Sequence, residues 1–134
     1  MAYMPYNVFE VIDMFSVEYY EKSNGESPVK DYLFSLNNKM QAKTLRDIEL
    51  LADKGNSLRM PYSEYIQDGL YELRTISGND IGRIFYFFQK NKIIILTNGY
   101  VKKAQKASRK EIEIATQYKN DYLAKHKEKG EHKK

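Results

Sequence analysis

Leu70–Lys110, reading LYELRTISGNDIGRIFYFFQKNKIIILTNGYVKKAQKASRK, decides the fold. It contains three runs rich in β-branched and aromatic residues, about Leu70 to Ile76, Ile81 to Gln89 and Ile93 to Tyr100. The separators, Ser77-Gly78-Asn79-Asp80 and Lys90-Asn91, have turn chemistry, so an antiparallel meander is the economical arrangement. Period-2 alternation puts Arg74 on one strand face with Leu70, Glu72 and Ile76, and Arg83 on one with Phe85 and Phe87, leaving Tyr86 for the core. Lys102, Lys103 and Lys106 follow the third run, so the meander gathers five cations from distant positions onto one rim. Glu72 beside Arg74, and a rim carboxylate for Arg83, offer a plain structural pairing as the alternative use of the arginines.

The flanks read as support. Asn7 to Asp13 alternates well enough for a first strand. Ser27-Pro28 has the form of an N-cap followed by proline at the first helical position, predicting a helix to about Leu36 that buries Val29, Leu33 and Leu36 or their neighbours Tyr32 and Phe34. After Asn37-Asn38, the spacing of Leu45, Ile48, Leu51 and Ala52 predicts a second helix ended by Lys54-Gly55. The two form a hairpin packed on the sheet, without a charge or aromatic cluster that marks a binding module. Tyr62 to Ile66 follows Pro61 as a short edge strand.

Ser108-Arg109-Lys110-Glu111 matches a capping box, so the last helix starts at Arg109 and presents Ile112, Ala115 and Leu123, with Ile114, Tyr118 and Tyr122 widening the stripe. Nothing apolar remains from His126 onward, which predicts a disordered basic tail over 126–134 behind a single domain over 1–125. The expected class is therefore α+β, a small antiparallel sheet with an N-terminal helical hairpin and a C-terminal helix.

A chain of 134 residues suffices for one self-supporting core. It contains no cysteine, which removes disulfides, thiolate nucleophiles and thiolate metal sites, and its two histidines both fall in the polar tail. No metal site or cofactor is expected. No signal segment or membrane span is visible, so a soluble, cytoplasmic protein is expected. The net charge of +4 is uneven, since 11 of the 22 Lys+Arg but only 5 of the 18 Asp+Glu lie from Gly99 onward. Lys102, Lys103 and Lys106 precede a helix N-terminus, where free N–H groups and the dipole already favour an anion, and Tyr100 stands beside them as a stacking platform. Tyr62 lies near the same groove. Asp68 with Glu72-Leu73-Arg74 is faintly similar to the acidic motif of restriction-type nucleases. The first acid is too close, arginine replaces lysine, and no further carboxylates cluster to hold magnesium.

GLYELR at Gly69–Arg74, GRIFYF at Gly82–Phe87, NGYVKKAQKASRKEIEIA at Asn98–Ala115 and PVKDYLFSLNNKMQAK at Pro28–Lys43, in this order and spacing, resemble the HigB-type branch of the RelE superfamily. These are toxins of bacterial and phage toxin-antitoxin pairs. The resemblance implies a metal-independent endoribonuclease that cuts messenger RNA on the ribosome by attack of the 2′-hydroxyl on the adjacent phosphate. It also implies silencing by a helix-turn-helix, HigA-like antitoxin. It assigns Arg74 and Arg83 to clamping phosphate and Lys102 and Lys103 to the catalytic basic pair. It also assigns Lys106 to the RNA backbone; Tyr62, Ser108, Arg109 and Lys110 are added from their position near the groove as further candidates for RNA contact. Where the better-known RelE pattern has a catalytic tyrosine near its end, this chain has Ser108-Arg109, so Tyr100 or a lysine of the cluster stands in for it. A non-catalytic RNA- or protein-binding module on the same scaffold is the alternative function.

Overall fold

The computed structural model describes residues 14–102 and 107–132. Elements follow in the order β1 (Ser16–Tyr19), α1 (Pro28–Ser35), α2 (Asn38–Lys54), a 3₁₀ turn (Gly55–Ser57), β2 (Ser63–Gln67), β3 (Leu70–Ser77), β4 (Asp80–Gln89), β5 (Ile93–Lys102) and α3 (Arg109–His132). The five strands form one sheet in the order β1-β5-β4-β3-β2. All neighbours are antiparallel except β1 with β5. The α+β meander with helices against it matches the expected class. Among the described residues, no helix is long and apolar enough to cross a membrane.

Local chemistry accounts for the helices. The Ser27 hydroxyl accepts from the Lys30 N–H and Pro28 takes the first helical position, which starts α1. Asn37 accepts from the Met40 N–H and starts α2 immediately afterwards. At the far end Gly55 caps α2 with φ +55°, and any Cβ there would collide with the Phe15 ring.

The hairpin of α1 and α2 covers one sheet face, burying Val29, Tyr32, Leu33, Ile48 and Leu51 against Leu73, Ile84, Tyr86, Ile94 and Leu96. Phe34, offered as a possible core residue, is instead 81% exposed. Helix α3 covers the other face, where Ala115 and Tyr122 meet Tyr20, Leu70, Phe85, Phe87 and Ile95. Leu45 and Leu123, read as core, lie at the surface, because each stripe turns past the sheet at those positions. The strand expected over Asn7–Asp13 lies outside the described residues. Strand β1 comes just after it and consists of four residues, too few for alternation to stand out. Helix α3 continues through His132, so the segment 126–132, expected as a disordered tail, is helical.

Two irregularities shape the site. The register of β4 with β5 shifts between Phe85 and Tyr86: Phe85 faces Asn98 whereas Tyr86 faces Leu96, which leaves Thr97 bulged. Without that extra residue Tyr100 would share a face with Ile94 and Leu96, under the hairpin. The bulge turns it towards α3. On the hairpin side, Gly99 and Gly82 leave room for Tyr32: a Cβ at Gly99 would stand 2.6 Å from the ring, and one at Gly82 would stand 2.6 Å from the hydroxyl. The glycines of GRIFYF and NGY are therefore packing glycines.

Candidate functional site

Arg74, Arg83 and Tyr100 form one cross-strand row on the α3 face of the sheet. Arg74 is the register partner of Arg83, and Arg83 is that of Tyr100. Strands spaced about 4.8 Å apart bring the three within roughly 10 Å. The next row in one direction is Ile76, Ile81 and Lys102, and in the other Glu72, Phe85 and Asn98. Residues far apart in sequence thus share one patch, and Lys102 ends β5 beside it.

Two arginines directly opposite each other repel unless a counter-charge intervenes. Glu72 supplies it. Its Oε1 accepts from Arg83 Nη1 at 2.7 Å and stands 3.7 Å from Arg74 Nε. The pair is deeply placed: Glu72 and Arg83 are 0% exposed and Arg74 is 9% exposed. Burial pushes the Glu72 carboxyl above its usual range, and the charges and hydrogen bond of Arg83, with Arg74 behind it, pull it back. The structural pairing offered as an alternative for the arginines is therefore present in the fold. When Glu72 is ionised the trio keeps one net positive charge under the α3 face.

Tyr100 is half-buried and stacks on Phe85 at 6.0 Å between ring centroids. Its hydroxyl accepts from the Ser108 N–H at 2.7 Å, so the loop leading into α3 is tied to the row. Burial raises the Tyr100 phenol above its ordinary value, outweighing that hydrogen bond and the nearby Arg83 charge. Near neutral pH it is a neutral hydroxyl, able to donate its proton and unsuited to accept one. Asn98 fixes the first turn of α3 by donating to Glu111 at 3.4 Å.

The remaining sequence candidates distribute as follows. Ser108 lies against Tyr100, with its backbone rather than its side chain engaged. Arg109 and Lys110 are exposed on the first turn of α3, and Arg109 borders a cavity of about 420 Å³ with Gln67 and Glu113. Tyr62 is 44% exposed beside the free end of β3, where its carbonyl accepts from the Arg74 N–H at 2.8 Å. Lys103 and Lys106 lie outside the described residues.

Tyr62 and Arg74 also border a smaller cleft, about 150 Å³, together with Lys43, Arg46, Asp47 and Thr75. Lys43 and Arg46 come from α2 and were missed in the sequence. A signal was present: Lys39, Lys43 and Arg46 recur at four- and three-residue spacing, a basic stripe on an otherwise ordinary amphipathic helix. Among the described residues, no group of three or more His, Cys, Asp or Glu gathers where a metal ion could sit.

The model of one protein family, described as Phage derived protein Gp49-like (DUF891), matches residues 31–120, a span from α1 to the middle of α3 that includes the whole row. No curated protein matches the chain.

Proposed function

The chain belongs to the Phage derived protein Gp49-like family, a RelE-like family related to the toxins of toxin-antitoxin pairs, and on that premise we propose that it is a messenger RNA endonuclease acting on the ribosome. An antitoxin is the partner such a family implies in general; a helix-turn-helix, HigA-like antitoxin is our specific proposal. The observation that carries the reading is the row of Arg74, Arg83 and Tyr100, with Lys102 adjoining it.

The reaction is transfer of a phosphodiester bond within RNA. The 2′-hydroxyl gives its proton to solvent water, its oxygen bonds to phosphorus, the bond to the 5′-oxygen breaks, and the departing oxygen takes a proton. Tyr100, held neutral by burial and accepting from Ser108, is suited to supply that proton. Arg74, the less buried arginine of the row, meets the negative charge on the phosphate oxygens. Arg83 acts from beneath, adding positive field while Glu72 fixes its guanidinium. Lys102 joins Arg74 in neutralising the phosphate, with Lys103 completing the catalytic basic pair and Lys106 on the backbone, as the family resemblance suggests.

The complete burial of Arg83 with Glu72 favours a second reading, in which the scaffold binds RNA or protein without cutting. The two separate on Tyr100→Phe, which removes one oxygen and keeps the ring. Induced in a bacterial host, the wild type should arrest growth and generate new transcript ends only within translated regions. Tyr100→Phe should cut on the order of a hundredfold or more slowly, the usual worth of a positioned proton donor. A wild type that binds RNA yet leaves translated transcripts intact would overturn the catalytic reading.

A further inference from the structure

Strand β2 ends at Ser63, opposite Leu73, and the Tyr62 carbonyl accepts from the next N–H, that of Arg74, so strand pairing along this edge of β3 stops at Arg74. The cleft at that point is bordered on one side by α2 and on the other by the turn carrying Tyr62. Three groups border it, the Arg46 guanidinium, the Lys43 ammonium and the exposed Tyr62 ring, while Arg74 lines it from the strand edge with its side chain held by Glu72 on the α3 face. The one carboxylate at the wall, Asp47, is engaged at 2.8 Å by the Thr75 hydroxyl, and Lys43 reaches the Ile76 carbonyl at 3.4 Å. The cleft is positive on balance.

Its position matters as much as its charge. The row Tyr100, Arg83, Arg74 runs across β5, β4 and β3 and ends at Arg74, which is itself part of the cleft wall. The row lies on the α3 face and the cleft on the α2 side, so the two meet at the edge of β3, and an RNA strand reaching Arg74 from outside the sheet crosses that edge. There it meets two further cations for its phosphates and an aromatic face for a base.

We propose that Lys43, Arg46 and Tyr62 form a second subsite for single-stranded RNA, holding the nucleotides next to the scissile phosphate. The proposal rests on the ribonuclease reading and extends it to residues of α2. Cations that follow the backbone, combined with an aromatic platform, are what sequence-tolerant recognition of a single strand requires. An acidic protein segment would use the cations but would gain little from the open ring of Tyr62.

The probe is a fluorescein-labelled, 2′-O-methyl 20-nucleotide single strand, which cannot be cut, titrated by anisotropy between about 50 and 200 mM salt. Lys43→Ala/Arg46→Ala should lower the slope of log Kd against log salt by about 1.4, at roughly 0.7 per lost phosphate contact. Tyr62→Ala should weaken binding about 5- to 150-fold, and Tyr62→Phe should restore it. Unchanged slope and affinity in folded variants would overturn the subsite. So would a wild type that cuts translated transcripts without binding the free strand. In both cases the ribonuclease reading survives; it fails separately if the wild type leaves translated transcripts uncut. Loss of affinity for a 20-residue polyglutamate, with RNA binding intact, would assign the cleft to an acidic partner and also overturn the proposal.

Discussion

Replacing Glu72 by Gln keeps the shape of the side chain and removes its charge. In the folded protein that leaves Arg83, whose side chain has no solvent exposure, without the carboxylate 2.7 Å away. Removing the charge of one member of a buried ion pair costs about 3–5 kcal/mol, a large share of the 5–15 kcal/mol typical of a whole domain. With a urea m-value of about 2 kcal/mol/M, the unfolding midpoint should fall by roughly 1.5–2.5 M. Arg83→Met should cost less, because Glu72 still faces Arg74 at 3.7 Å. The double variant Glu72→Gln/Arg83→Met should then be at least about 1 kcal/mol more stable than the sum of the single losses predicts, since both single changes break the same ion pair. Urea unfolding followed by far-ultraviolet circular dichroism reads all four proteins. Strictly additive losses, or a Glu72→Gln midpoint within about 0.3 M of wild type, would refute the idea that this carboxylate holds the arginine row together.

Gly99→Ala places a Cβ 2.6 Å from the Tyr32 ring, so it should destabilise by about 1–3 kcal/mol, and Tyr32→Leu should recover part of the loss in the same urea assay. Asp121 accepts from Tyr20 at 2.5 Å and from Lys125 at 2.9 Å, and these partners lower its pKa. Its contribution is therefore present above the ordinary carboxylate range and lost as pH falls through the lowered value. Asp121→Asn should flatten the acid limb of a stability-against-pH curve. Burial pushes the phenols of Tyr32, Tyr86 and Tyr122 up to about 12. The folded chain keeps protons that the unfolded chain releases above pH 10, so stability should fall as pH climbs from there towards 12. Phenolate absorbance near 295 nm should rise together with unfolding.

The meander could be read from the chain because each strand carries its own turn. Gly78 and Asn79 separate β3 from β4, and Asn91 separates β4 from β5, leaving runs whose composition suits no other element. The cap at Ser27 was equally local, whereas Asn37 stood out only as a break before the second helix and its capping came from the structure. The orientation of Tyr100 was not, because it depends on a bulge at Thr97 that exists only in the pairing of β4 with β5. The role of Gly99 was hidden for the same reason: its constraint comes from Tyr32, on a helix nearly seventy residues earlier. Alternation put Arg74 and Arg83 on particular strand faces. Their exact opposition, and the sharing of Glu72 between them, came from register. Lys43 and Arg46 were overlooked because a basic stripe on a helix is usually only a solvated face. Their meaning depends on where β2 stops pairing.

Mapping of transcript 5′ ends after brief induction tests the central claim most directly, comparing wild type with Arg74→Ala/Lys102→Ala while translation is running or blocked. The account predicts new ends within translated reading frames for the wild type, none when ribosomes are kept off the message, and at least a hundredfold fewer for a folded double variant. Equal cutting by the double variant, or a wild type that produces no new ends, would contradict it.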